Sequence, residues 1–222
     1  MTRTLTAHKT AAKSGKATSL VILLHGYGAD GNDLLGLAEP LSPHLPDTVF
    51  VAPDAPNPCS GNPMGFEWFP IPWLDGSSEE AAREGMVASL DDLNNFIDQT
   101  MRAEGVTAAQ TILLGFSQGT MMSLDLAPRR AEPFAGVIGF SGRLLDPESL
   151  KSEVVSRPPI LLIHGDQDDM VPPASLPEAA NALTLAEFEV YTHISKGTAH
   201  GIAQDGLGVA LEFMLRSFGI KS

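Results

Sequence analysis

Short runs of apolar, often β-branched residues alternate along the chain with longer segments whose apolar positions recur every three or four residues. The first kind reads as strands buried on both faces and the second as helices that cover them, which is the pattern of an α/β protein with a mostly parallel sheet. Strands are predicted at 19–24, 48–52, 111–114, 134–140, 159–163 and 187–194. Each ends in a loop rich in Gly, Asp, Ser or His, and in open sheets of this kind ligands bind beyond the carboxyl ends of the strands. The clearest helix is predicted over about 78–102, with Met86, Leu90, Leu93, Ile97 and Met101 on one stripe. Ser77 and Glu80 offer a capping box at its start. A last helix over about 205–218 repeats the logic with Leu207, Leu211, Met214 and Phe218.

Two stretches fall outside this alternation. Residues 1–18 contain Arg3, Lys9, Lys13 and Lys16 without a continuous apolar core, so they read as a polar leader strand and not as a secretory signal. Residues 53–78 hold six prolines, both tryptophans (Trp68 and Trp73), Phe66 and Phe69. A loop of that length in a compact domain usually carries function.

The length of 222 residues fits a single domain over 1–222, and 43% hydrophobic with 18% charged residues is a folding composition. Asp and Glu outnumber Lys and Arg by 27 to 14, and the resulting charge of -13 repels nucleic-acid phosphates and anionic membranes. No apolar run approaches the length that spans a bilayer, so no stable membrane insertion is expected. Cys59 is the single cysteine, which excludes an intrachain disulfide and a cysteine-rich zinc site and suits a reducing compartment. A cytoplasmic monomer or homodimer without a nucleic-acid partner is the expectation.

Gly115-Phe116-Ser117-Gln118-Gly119 follows an apolar strand and precedes a helical segment near Thr120, the context in which a serine hydroxyl projects from a sharp strand-to-helix turn. Glycines two residues either side remove side chains where strand and helix crowd together. A serine hydroxyl is a poor nucleophile at neutral pH and needs a histidine base supported by a carboxylate. The order expected after such a turn is acid, then histidine, each beyond a later strand. The strand at 159–163 is followed by His164-Gly165-Asp166-Gln167-Asp168-Asp169, and that at 187–194 by Gly197-Thr198-Ala199-His200-Gly201. His200, in a glycine-flanked loop, is the candidate base; His25, His164 and His193 read as structural. Asp166, Asp168 and Asp169 compete for the acid on spacing alone. A developing oxyanion needs two donors, for which the backbone N–H groups of Gln118 and of Tyr27, in the loop after the first strand, are the candidates.

Two other readings compete for these loops. Gly26-Tyr27-Gly28-Ala29-Asp30-Gly31 matches a dinucleotide-binding Gly-x-Gly-x-x-Gly with Asp54 downstream, which would make the protein a nicotinamide-dependent oxidoreductase but leaves Ser117, Asp168 and His200 without a role. The acidic loop at 166–169 lacks the glycine and terminal glutamate of a calcium-binding loop, so no metal is expected there.

Taken together, His25-Gly26-Tyr27-Gly28-Ala29-Asp30, Pro53-Asp54-Ala55-Pro56, Trp68-Phe69, the turn at Gly115–Gly119, His164-Gly165-Asp166-Gln167-Asp168 with Val171-Pro172, and Ala199-His200-Gly201 resemble the phospholipase/carboxylesterase family, from about Leu20 to Phe218. The resemblance implies an α/β-hydrolase fold without a large lid, and a serine hydrolase that cleaves small-molecule carboxylic esters with broad acyl specificity through an acyl-enzyme without a cofactor. Lysophospholipid or protein-thioester hydrolysis is the alternative. It selects Asp168 as the acid, because the family's aspartate precedes x-x-Val-Pro, and it maps the oxyanion donors to Tyr27 and Gln118. It also places Trp68 and Phe69 near the acyl site as substrate-binding residues. This chain departs from the family in having Tyr27 where leucine is usual and Thr120 where a further glycine is usual.

Overall fold

The computed structural model describes residues 2–220; residues 1, 221 and 222 of the predicted 1–222 unit lie outside the described part. The strands are β1 (Ala7–Thr10), β2 (Ser19–Leu24), β3 (Thr48–Pro53), β4 (Asn57–Pro58), β5 (Phe66–Glu67), β6 (Thr111–Phe116), β7 (Gly136–Phe140), β8 (Ile160–Gly165) and β9 (Val190–Ser195). The helices are α1 (Gly31–Leu35), α2 (Ala38–Leu41), α3 (Pro72–Asp75), α4 (Glu79–Glu104), α5 (Gln118–Arg129), α6 (Pro147–Glu153), α7 (Ser175–Leu185) and α8 (Gln204–Ser217). Seven strands form one sheet in the order β1-β3-β2-β6-β7-β8-β9, all parallel except β1. β4 and β5 pair as a separate small hairpin.

The six predicted strands are β2, β3, β6, β7, β8 and β9, and the polar N-terminal stretch supplies the antiparallel β1, with Ala7 opposite Pro53 and Thr10 opposite Phe50. The last strand begins later than predicted because Glu187 has a positive φ of 67°, which turns the chain before it can extend.

Alternation within strands splits the core between two faces. Leu20, Ile22 and Leu24 of β2 face Leu93 and Ile97 of α4, Met121 of α5 and Leu183 of α7. Val21 and Leu23 face Leu34 of α1, Leu41 of α2, and Ala210 and Phe213 of α8. Each such side chain, fully buried, contributes roughly 1.5–3 kcal/mol.

The two predicted helices bury narrower stripes than their sequences suggest. α4 buries Leu93, Ile97 and Met101, but at its middle it buries the polar Ser89 and Asp92. Its cap is Ser78, whose hydroxyl accepts from the Ala81 N–H at 3.1 Å, and not Ser77. Ser77 is committed to the turn after α3, where its N–H donates to Asp75 Oδ1 at 2.8 Å. In α8 the buried positions are Gly206, Ala210, Phe213 and Met214, one step round from Leu207 and Leu211, because small residues let the helix approach the sheet. No helix among the described residues is long and apolar enough to cross a membrane.

Candidate active site

β6 ends at Phe116 and α5 begins at Gln118, so Ser117 alone makes the turn between them, with φ 53° and ψ −114°. A non-glycine residue in that region is strained, at a cost of roughly 1–3 kcal/mol. The surroundings impose the turn. A Cβ on Gly115 would overlap the Gly119 carbonyl, and one on Gly119 would overlap the Leu24 carbonyl oxygen, so neither position admits a side chain. The Ser117 N–H donates to Phe140 O at 2.8 Å, and the Ser117 carbonyl accepts from Thr120 N–H at 3.0 Å. Thr120, in place of the family's glycine, fits here: its hydroxyl lies 2.9 Å from both Gly115 O and Phe140 O.

β8 and β9 deliver the other two groups. His200 Nδ1 lies 2.8 Å from Asp168 Oδ2, and the His200 ring is tilted against Phe116 with centroids 4.9 Å apart, which places the imidazole beside the serine turn. A carboxylate only accepts, so the proton of His200 sits on Nδ1 and Nε2 is left as the basic nitrogen. Asp168 is buried; its Oδ1 accepts from the N–H groups of Met170 at 3.0 Å and Val171 at 2.9 Å. Burial alone would raise its pKa, but the bonds from His200, Val171 and Met170 outweigh that and hold it below the ordinary carboxylate value. The neighbouring acids have other surroundings: Asp166 Oδ1 accepts from Gly197 N–H at 2.6 Å, and Asp169 is exposed.

His164, a structural histidine on the sequence, is buried, and its Nε2 donates to Val171 O at 2.9 Å. The same nitrogen stands 3.2 Å from Asp168 Oδ2, a proximity the sequence signals only as a four-residue spacing within a loop. His25 bonds Gly26 O through Nδ1 at 2.8 Å and accepts from Ala55 N–H through Nε2 at 2.9 Å. Burial pushes its pKa down, so it is a neutral structural imidazole.

Gln118 opens α5, so its backbone N–H is one of the amides at a helix start that have no intrahelical acceptor. Its side chain, missed by the sequence reading, is fully buried: Oε1 accepts from Trp68 N–H at 2.8 Å and Nε2 donates to Phe69 O at 2.7 Å. Trp68 is therefore a strut and not a wall of the open site. Its ring is fully buried, its indole N–H donates to His25 O at 3.0 Å, and its carbonyl accepts from the Ser89 hydroxyl. Phe69 does reach a groove of about 720 Å³, between the 69–73 segment, α4 and α5. Tyr27 turns its ring toward the 60–62 loop, with its hydroxyl 3.1 Å from Ser60 Oγ; burial pushes that phenol up, so it stays protonated.

The glycine-rich loop does not form a dinucleotide cradle. Gly31 opens an α1 of only five residues, its N–H is taken by Asp54 Oδ1 at 2.9 Å, and Asp30 and Asp33 box the helix start with carboxylates where a phosphate would need to sit. Among the described residues no group of three or more His, Cys, Asp or Glu side chains is arranged to hold a metal ion.

Residues 5–217 match the model of a family described as Phospholipase/Carboxylesterase. The chain belongs to that family. It is 30% identical over 200 residues to an Escherichia coli K12 protein named esterase YpfH, covering 89% of this chain and 82% of that one. An acyl-protein thioesterase 1 of Kluyveromyces lactis is 29% identical over 229 residues, covering 96% and 98%. Among solved structures, a crystal structure of esterase PE8 superposes with a TM-score of 0.91 at 44% identity, over 96% of this chain and 99% of that one. As a member of the phospholipase/carboxylesterase family, the chain is a carboxylic ester hydrolase of the serine type on an α/β-hydrolase fold.

Proposed function

We propose that Ser117, His200 and Asp168 are the triad of this phospholipase/carboxylesterase-family member, and that its substrates are small carboxylic esters hydrolysed through an acyl-enzyme. The supporting observation is the 2.8 Å contact between His200 and buried Asp168 beside the strained turn at Ser117. His200 Nε2 takes the Ser117 proton as Oγ attacks the ester carbonyl carbon. The N–H groups of Tyr27 and Gln118 stabilise the oxyanion. His200 then returns the proton to the leaving oxygen, the C–O bond breaks and alcohol departs. Water, deprotonated by His200, repeats the attack on the acyl carbon and releases the acid. Phe69 lines the site on the acyl side. The whole chain acts as one domain, with residues 53–78 forming part of the site, and works in the cytoplasm as a monomer or homodimer.

The test is hydrolysis of a p-nitrophenyl ester series of rising acyl length by wild type and Ser117→Ala. Turnover by wild type with a loss of about 10⁴-fold or more in the variant is expected; substantial activity in pure Ser117→Ala would reject the assignment. A second reading, protein-thioester hydrolysis, draws on the relative named acyl-protein thioesterase 1 and uses the same machinery. An S-acylated protein cleaved far better than any oxygen ester would favour it.

A further inference from the structure

A cavity of about 290 Å³ adjoins the serine turn on the sheet face covered by α1 and α8. Leu34, Leu37, Phe116 and Ile202 are its apolar walls. It borders the nucleophile, since Gly26 also lines it and a Cβ placed there would stand 3.2 Å from Ser117 Cβ and 3.1 Å from the Phe116 ring. It borders the base as well, because Phe116 packs against the His200 ring and Ile202 lies two residues beyond His200. Its polar lining is limited to the neutral, internally bonded His25 and the exposed carboxylate of Asp33, with no Lys or Arg among the described lining residues.

Proton transfer decides which half of a substrate belongs there. Nδ1 of His200 is held by Asp168, so Nε2 must hand its proton to the departing oxygen, and the leaving group therefore lies on the imidazole's side of the scissile carbon. The acyl group points away from it, and the larger groove against α4 and α5 lies on the opposite face of the sheet. We propose that the cavity walled by Leu34, Leu37, Phe116 and Ile202 is a leaving-group subsite that selects esters of uncharged, apolar alcohols. The proposal rests on the ester-hydrolase reading above. A phosphate-bearing alcohol, such as that of a lysophospholipid, would meet the Asp33 carboxylate with no cation to offset it.

The experiment compares kcat/KM for cyclohexylmethyl butanoate and ethyl butanoate, whose alcohols differ in apolar bulk, in wild type, Leu37→Trp and Ile202→Trp. Both positions are only partly buried, so the added bulk fills the cavity without entering the core, and a thermal melt checks folding. Wild type is expected to favour the larger alcohol by about tenfold or more, and either substitution to bring that ratio close to one. The ratio for ethyl hexanoate over ethyl butanoate, which reads the acyl side, is expected to move by less than about twofold. An alcohol ratio unchanged in both variants, or an acyl ratio that falls as far as the alcohol ratio, overturns the subsite. A wild type inert toward every one of these esters removes the ester-hydrolase reading itself, whereas an active enzyme with an unchanged ratio removes the subsite alone.

Discussion

Asp168 accepts three hydrogen bonds in a place closed to solvent, and the N–H of His164 stands beside one of its oxygens. That arrangement fixes both its ionisation and its direction, which no amount of spacing could separate from Asp166 or Asp169. Asp168→Asn is expected to lower kcat/KM by about 10³–10⁴-fold, and Asp166→Asn or Asp169→Asn by less than about tenfold. Comparable losses at all three would mean that the acid lies elsewhere. The pH dependence of stability has a definite sign. Because the folded pKa lies below the ordinary 3.8, ionised Asp168 stabilises the fold above that value, and the contribution is lost as pH falls through the depressed one. The Tm gap between wild type and Asp168→Asn should therefore begin to close only as pH falls to about 4 and keep closing as it falls further, and a gap that widens toward acid would contradict the shift.

The six parallel strands of the sheet were legible as elements because continuous apolar runs bounded by glycine and aspartate have few other meanings. β1 was legible only as a polar leader strand without bounds because it is a half-exposed edge strand, and α1, α2, α3 and α6 escaped because helices of four to seven residues have no room for a stripe. α7 is hidden by Pro172, Pro173 and Pro177 at and before its first turn. The segment at 53–78 stands out in the sequence by its prolines and aromatics, but a tryptophan that buttresses a loop looks in sequence like one that lines it. What distinguishes them is the Gln118 amide, which pairs with the backbone of Trp68 and Phe69 as a neighbouring strand would. Gln118→Ala keeps the backbone N–H but leaves those two buried groups unpaired, at about 1–3 kcal/mol each. A fall in Tm of roughly 5–10 °C by calorimetry is expected, and an unchanged Tm would show that the segment is held by other means.

At the scale of the molecule, the carboxyl edge of one sheet gathers the loops that follow β2, β6, β8 and β9 under a net charge of -13. Anionic esters approach against that field and neutral ones do not. Raising the ionic strength from about 0.01 to 0.15 M shortens the screening length from roughly 30 to 8 Å, so kcat/KM for a monoalkyl succinate should rise several-fold while a neutral ester stays level. Equal responses from both would place the charge out of reach of the entrance. The same sheet also holds Ser117 in a backbone conformation that glycine adopts without penalty. Ser117→Gly should raise the melting temperature by a few degrees while ending turnover, read by calorimetry alongside the ester assay. On the role proposed for Ser117, thermal endurance is exchanged for reactivity at this one residue.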